Sequence, residues 1–381
     1  MSQRIEERLA RGGPAIECLR APAALFGILA RLRGSLYSSG WLKSYRLDVP
    51  IVSVGNLTAG GTGKTPFIVW LVRWFQEQGL KPGILSRGYR ADQEGANDEG
   101  RLLAQLFPDV PHKQGADRVQ GAAELVDVGV DVILLDDGFQ HRRLVRDLDL
   151  VLIDATQPFG FPLLSNHERP GALLPRGLMR EPKTALTRAH ALVLTRTDQC
   201  APQALAALED ELEAIAPGVP RLTTQHRAQR LRVLRGEPSA PAGGEALELD
   251  LEHSPKAEVE IELSRLDGLE VDLLSGIGNP EAFQATVEAL GARIATHRTL
   301  PDHHHYGLED LREVGDARPL VTTAKDAVKL ESLRNKDKDI WILDVEMRLD
   351  RGLVALETLL GALPPAKARA LRDALHAGLS G

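Results

Sequence analysis

The stretch Val49-Pro50-Ile51-Val52-Ser53-Val54-Gly55-Asn56-Leu57-Thr58-Ala59-Gly60-Gly61-Thr62-Gly63-Lys64-Thr65-Pro66 decides the fold. Its first six residues are mostly apolar and β-branched, which reads as a buried strand. A glycine-rich turn follows, and residues 66–78 read as a helix. Pro66 is tolerated there because the first helical turn needs no intrahelical donor from it. Strand, glycine loop and helix form the order in which a chain cradles phosphate. At Thr58, Ala59, Gly60, Gly61, Thr62, Gly63, Lys64 and Thr65 the glycines let the backbone wrap closely, where a Cβ would collide or forbid the dihedrals. The amides then point inward, and the helix N-terminus adds positive potential. Lys64 supplies a full charge to the β- and γ-phosphates, and Thr65 a hydroxyl for Mg²⁺. Thr58 stands where the general pattern has glycine.

Outward from this loop, segments 81–86, 130–135, 148–153 and 191–195 read as further strands, with a helix at 116–128. Strands alternating with helices predict an α/β fold of the P-loop NTPase type, a mostly parallel sheet with helices on both faces. The strand Val132-Ile133-Leu134-Leu135 delivers Asp136-Asp137 to the sheet's C-terminal edge, where open α/β sheets bind ligands. One of these two acids is expected to hold Mg²⁺, directly or through water. The chain is therefore expected to bind and cleave a nucleoside triphosphate.

The pattern changes near residue 225. Residues 236–256 are rich in Gly, Pro, Ala and Glu and read as a surface loop. A second α/β run follows, with strands at 271–277, 294–299, 320–323 and 340–345 and helices at 280–290 and 308–314. The expected organisation is an N-terminal segment 1–40, a P-loop domain 41–224 and a smaller α/β lobe 225–381 that closes over the active site.

Composition narrows the class. The 381 residues allow one large or two medium domains at roughly 100–200 residues each. With 43% hydrophobic and 26% charged residues the chain is neither disordered nor collagen-like nor multi-span. Lys and Arg number 46 against 53 Asp and Glu, a net charge of −7, which argues against a general nucleic-acid binder. Cys18 and Cys200 are the only cysteines and form no disulfide framework or CxxC pair, pointing to a reducing compartment. No signal peptide or span of roughly 20 apolar residues is evident. Leu25, Ile28, Leu29, Leu32 and Leu36 fall at helical spacing on one face, flanked by Arg20, Arg31 and Arg33. Such a helix either packs on the domain or lies in a membrane interface with its arginines near headgroups.

Several motifs together resemble those of the tetraacyldisaccharide 4′-kinases of lipid A synthesis. They are the loop from Val54 to Pro66, Leu85-Ser86-Arg87-Gly88-Tyr89, Asp136-Asp137-Gly138-Phe139-Gln140-His141, and Leu174-Pro175-Arg176-Gly177 with Met179-Arg180-Glu181. Pro301-Asp302-His303-His304-His305 and Thr322-Thr323-Ala324-Lys325-Asp326-Ala327-Val328-Lys329 follow in the family's order. The resemblance spans residues 20–345. It implies transfer of the ATP γ-phosphate to the 4′-hydroxyl of a lipid A disaccharide 1-phosphate precursor. It also implies peripheral attachment to the cytoplasmic face of a bacterial inner membrane, with no obligate protein partner and no nucleic acid. On that reading the amphipathic N-terminal helix reaches the interface.

The same resemblance assigns roles. Asp98, in Ala96-Asn97-Asp98-Glu99-Gly100, matches the family's catalytic base, although Asn97 and Gly100 stand where the family usually has Gly and Pro. His303 matches the histidine paired with that aspartate, and an imidazole there orients the carboxylate and tunes its basicity. Glu181 matches an acidic position near the metal or nucleotide. Arg87, Arg142 and Arg143, with Arg146 beside them, offer planar donor forks for the substrate's 1-phosphate. Asn279, Lys325 and Asp326 sit at strand ends of the second lobe without an assigned role. The competing reading is a P-loop GTPase that delivers a metal. It draws on the three consecutive histidines and on Thr195-Arg196-Thr197-Asp198, a loose match to a guanine-reading element.

Overall fold

The computed structural model describes residues 9, 13–88, 98–160, 172–234, 258–302, 304–312, 314, 318–330 and 339–365. The chain divides into two units, residues 1–226 with 347–381 and residues 227–346. His303 lies outside the described residues, as does the whole of the Gly/Pro-rich stretch 236–256.

In the first unit the strands are β1 (Ile51–Asn56), β2 (Pro82–Ser86), β3 (His112–Gln114), β4 (Val132–Asp136), β5 (Leu148–Asp154) and β6 (Ala191–Thr195). They lie in the order β6-β5-β1-β4-β2-β3, every pair parallel. Each of β1, β4, β5 and β6 is buried along its whole length, which is why their sequences run apolar rather than alternating. The two-residue period of the strand splits the core. Val52, Val54 and Leu134 face one way, onto Phe67, Ile68, Leu71, Val72 and Phe75 of helix α2 (Lys64–Glu77). Ile51, Ile133 and Leu135 face the other way, onto Ala122 and Leu125 of α4 (Arg118–Asp127). Phe67 and Phe75 are fully buried, each contributing about 1.5–3 kcal/mol by leaving water. Helix α3 (Asp98–Leu106) precedes β3, and α5 (Pro202–Ile215) buries Leu208 and Leu212 on the face of β5 and β6.

Because β1 is flanked by β5 on one side and β4 on the other, the strand order reverses at β1. That reversal opens the crevice at the carboxyl ends of β1 and β4 where this class of sheet holds ligands. The register sets Val54 of β1 beside Asp136 of β4.

The N-terminal helix α1 (Arg20–Ser38) buries its small residues. Ala23 and Gly27 face inward, and a Cβ on Gly27 would come within 2.6 Å of Leu173 Cδ1. Leu25, Ile28, Leu29 and Leu32 are each more than half exposed, and Trp41 beyond the helix is 83% exposed. Of the two readings left open for this helix, the bulky apolar face is therefore not covered by the described parts of the chain. Among the described residues no helix is long and apolar enough to cross a membrane.

The second unit orders β9 (Glu270–Ser275), β10 (Arg293–Thr299), β11 (Leu320–Thr323) and β12 (Ile340–Arg351) as β10-β9-β11-β12, again parallel. Strand β8 (Glu258–Ile261) pairs antiparallel with the end of β7 (Arg221–Leu234). Phe283 and Val287 of α6 (Pro280–Glu288) pack on Val271 and Leu273, while Leu311 of α7 (Leu308–Arg312) and Ala327 and Leu330 of α8 (Ala324–Leu330) pack with Leu274 and Leu320. Asn279, which had no assigned role, caps α6 by accepting from Ala282 N–H at 3.0 Å.

The sequence reading carries the second lobe to residue 381. Instead, from Met347 the chain returns to the first unit, where Leu356 and Leu360 of α9 (Leu353–Gly361) join the core that contains Phe67 and Leu71. The reason is local, since the helix has two buried leucines and the first unit supplies the apolar face they cover.

Candidate active site

The loop between β1 and α2 is built as its sequence requires. Gly60 and Gly63 have φ of 132° and 88°, conformations that L side chains rarely adopt. Gly63 also caps α2, and a Cβ there would meet His226 Nε2 at 3.1 Å and Met347 Cε at 3.2 Å. Side chains from around the sheet edge lock the loop. Asn56 Nδ2 donates to Thr62 Oγ1 (2.9 Å), Thr195 Oγ1 donates to Thr62 O (3.0 Å), and Arg196 donates to Gly61 O (3.0 Å) while pairing with Asp154. The segment Thr195-Arg196-Thr197-Asp198, considered above as a guanine reader, thus supplies two of the loop's supports.

Cations converge beside this cradle. Lys64 Nζ, on the first residue of α2, lies 3.7 Å from Asp137 Oδ1. Arg180 grips the same carboxylate with two bonds of 2.6 and 2.9 Å, and its Nη2 also donates to Asn56 Oδ1 (2.6 Å) and Thr58 O (3.0 Å). The bidentate fork fixes Asp137 against the loop. Arg118, nearly buried at the start of α4, donates to Asp137 O (3.0 Å) and supports its left-handed backbone at φ 50°.

The two neighbouring aspartates differ in charge state. Burial pushes the Asp137 carboxyl up, but Lys64 and then Arg180 outweigh it and hold the group below the usual carboxylate range. Burial first, then the negative charge of Glu99, raise Asp136 to about 7 against the pull of Lys64. Asp136 Oδ1 is buried and has no hydrogen-bond partner among the described residues. An orphaned carboxylate oxygen facing another acid is the donor set a hard divalent cation takes, so the residues fit Mg²⁺.

Asp98 and Glu99 occupy the first turn of α3. Glu181 is paired with Arg188 at 2.8 Å, and the Arg188 guanidinium lies over the Phe139 ring. Arg87 is exposed at the end of β2. Arg143 lies 3.8 Å from Asp117 and over Tyr45. Arg142 is engaged with α1, donating to Gly34 O (2.8 Å) and Ser38 Oγ (3.0 Å), and Arg146 grips Asp149 and the carbonyl of His141. The geometry thus brings together Lys64, Asp136, Asp137 and, through its charge, Glu99. It commits Arg142 and Arg146 to structural partners.

Three residues that hold this site received no role from the sequence. Arg180 lies within the Met179-Arg180-Glu181 motif. Arg196 reads from sequence only as part of the loose match to a guanine-reading element. Arg118 carries no local signal at all, because its partner is a backbone carbonyl 19 positions away.

The sequence profile of the tetraacyldisaccharide-1-P 4′-kinases matches residues 16–362. The chain belongs to this family. Tetraacyldisaccharide 4′-kinase of Anaeromyxobacter dehalogenans strain 2CP-1 is 38% identical, with 92% of each chain covered. That of Syntrophus aciditrophicus is 35% identical over 84% of this chain and 85% of its own. A crystal structure of the Aquifex aeolicus member in complex with ATP is similar at a TM-score of 0.64 and 29% identity, covering 91% of this chain and 98% of that one. The α/β P-loop kinase fold and membership of a phosphotransferase family are thereby established.

Proposed function

We propose that this chain transfers the γ-phosphate of ATP to the 4′-hydroxyl of a tetraacyldisaccharide 1-phosphate, a lipid A precursor, at the cytoplasmic face of the inner membrane. The observation that carries the reading is the convergence of Lys64 and Arg180 on Asp137 at the mouth of the glycine loop, beside the unsatisfied Asp136.

Phosphoryl transfer needs positioning and charge neutralisation more than covalent help. The amides of Thr58–Thr65 and the N-terminus of α2 hold the phosphates, and Lys64 neutralises charge on the β- and γ-groups. Asp137, Asn56 and Arg180 keep the loop and its lysine in register. Thr65, Asp136 and Asp137, with Glu181 assigned by resemblance, are the residues that would hold Mg²⁺. The ion supplies Lewis-acid stabilisation of phosphoryl charge when bound. Asp98 accepts the proton of the attacking hydroxyl, and His303 orients that carboxylate. Arg87 and Arg143 serve the substrate's 1-phosphate. Arg142 acts instead by anchoring α1.

A lipid substrate requires an enzyme that reaches its membrane. The exposed face of Leu25, Ile28, Leu29 and Leu32, with Arg20, Arg31 and Arg33 beside it, suits an interfacial position at the depth of the headgroups. Replacing Ile28 and Leu29 with Ser should cut binding to anionic phospholipid vesicles about tenfold while ATP affinity holds. Unchanged vesicle binding would remove this role for α1. For the chemistry, Asp98→Ala should lose at least about 100-fold in kcat with ATP affinity within twofold. An equal loss of ATP affinity would make Asp98 a nucleotide ligand.

A further inference from the structure

Helix α3 carries Asp98 and Glu99 in its first turn, and the charge of Glu99 reaches Asp136 at the phosphate site. That turn is polar, so burial of its own side chains does not orient it. Farther along, Leu103 is only 2% exposed and joins the core with Phe67 and Phe75. Gly100, also buried, lies three residues before Leu103 and so on the same face. Leu103 holds the helix at one point, and the second point is Gln114 at the end of β3. A Cβ built on Gly100 would collide with Gln114 Nε2 and come within 2.7 Å of its Cδ and 3.0 Å of its Oε1. The amide of Gln114 therefore occupies the space that any side chain at position 100 would take.

Gln114 is itself held in place. The register sets it beside Ser86 of β2, and Gly115 N–H donates to Ser86 O at 3.2 Å. Ser86 Oγ lies 3.0 Å from His112 Nε2, and Gln114 Nε2 stands 3.4 Å from the same ring nitrogen. Burial keeps His112 neutral by pushing its pKa down to about 4. A neutral ring with its proton on Nδ1 offers Nε2 as an acceptor, so the Ser86 hydroxyl and the Gln114 amide both donate to it. At the other end of the side chain, a Cβ on Gly88 would meet Gln114 Cβ at 3.3 Å. The glutamine is thus fixed at its stem and at its amide. An α-helix turns roughly 100° per residue, so fixing the side that carries Gly100 also sets the rotation at which Asp98 is presented.

We propose that Gln114 is a positioning residue for phosphoryl transfer, its amide seated in the notch at Gly100 so as to set the rotation of α3 and the placement of Asp98. The proposal rests on the reading above that Asp98 is the base. Gln114 touches neither nucleotide nor lipid in this role, so its loss lowers kcat and leaves the KM for ATP in place.

The test is a set of single and double variants of the full chain, reading kcat and the KM for ATP in phosphate transfer to dispersed lipid. Gln114→Ala should lower kcat about tenfold with the KM for ATP within twofold. Gln114→Met keeps the length and loses the donor; it should fall by a similar factor, and it keeps the test open if Gln114→Ala fails to fold. Alanine favours a helix over glycine, so Gly100→Ala by propensity alone would firm α3. Here it should cost about tenfold in kcat, because its methyl expels the Gln114 amide. In the Gln114→Ala background it should cost less than about twofold, since nothing is left to expel. In an Asp98→Ala background Gln114→Ala should likewise cost less than about twofold. Parental rates for Gln114→Ala and Gln114→Met overturn the proposal. So do independent losses from Gly100→Ala and Gln114→Ala, a KM for ATP that rises as kcat falls, or a tenfold loss from Gln114→Ala that persists in the Asp98→Ala background. Full activity of Asp98→Ala alone would instead overturn the reading of Asp98 as base, and this proposal with it.

Discussion

Both units carry acidic side chains beyond the carboxyl ends of parallel strands, and the two sets are bonded differently. In the first unit Asp137 is gripped by Arg180 and faced by Lys64, while Asp136 beside it keeps an oxygen with no partner and feels the charge of Glu99. In the second unit Asp310 uses both oxygens, on Gly307 N–H, His304 and Arg298, while Asp326 takes Gly276 N–H and Thr323 on one oxygen and holds the other, which takes no hydrogen bond among the described residues, 3.9 Å from Lys329. A carboxylate that accepts backbone donors holds a fold together. One such as Asp136, which takes no backbone donor on its side chain among the described residues and lies beside another acid, is open to a cation that would complete it. The comparison predicts that damage to the first set strikes chemistry and damage to the second strikes stability.

The largest expected effect is that of Lys64→Ala, a fall in kcat of about 1,000-fold with unfolding unchanged, read by γ-labelled phosphate transfer. Arg180→Ala comes next. Releasing Asp137, Asn56 and the loop carbonyl of Thr58 together should raise the KM for ATP and lower kcat/KM by about 100-fold, measured in steady-state assays. A variant that lost stability and kept its rate would erase the distinction between the two units.

Asp326→Ala should do the reverse. Leaving Gly276 N–H and Thr323 without their acceptor costs about 1–3 kcal/mol per buried group, visible as a melting temperature several degrees lower, while ATP affinity stays within twofold. A normal melting temperature with lost ATP binding would place Asp326 in the wrong class. The smallest effect concerns Asp136 in metal-free protein. Its folded carboxyl holds a proton up to about pH 7, above the ordinary carboxylate value near 4. The stability that goes with the proton is therefore complete below about pH 4 and declines as pH rises through 7. Asp136→Asn should melt at the parental temperature at pH 4 and about 2–4 °C higher at pH 8.5 in EDTA. A shift of equal size at both pH values would deny the raised proton affinity.

Much of the first unit was legible because its signals are local. A buried strand, a glycine loop, Pro66 and the apolar spacing of Phe67, Ile68, Leu71, Val72 and Phe75 each follow from a few adjacent residues. The acidic pair at the end of β4 was readable for the same reason. The arginines were not, since Arg118, Arg180 and Arg196 act on atoms 19, 43 to 124 and 42 to 135 positions away. Nor was the return of α9 to the first unit, because Leu356 and Leu360 signal burial without saying against what. Helix α1 was legible as amphipathic, but only the structure shows that its small residues, Ala23 and Gly27, face the protein and its large ones face out. The close approach at Gly27 explains the choice.

Everything above turns on this glycine loop serving a lipid kinase. The most direct test is incubation of the purified chain with γ-labelled ATP, Mg²⁺ and detergent-dispersed tetraacyldisaccharide 1-phosphate, with Lys64→Ala alongside. The parent should yield a labelled bis-phosphorylated lipid and the variant none above background. Folded, ATP-binding protein that labels no lipid would contradict it.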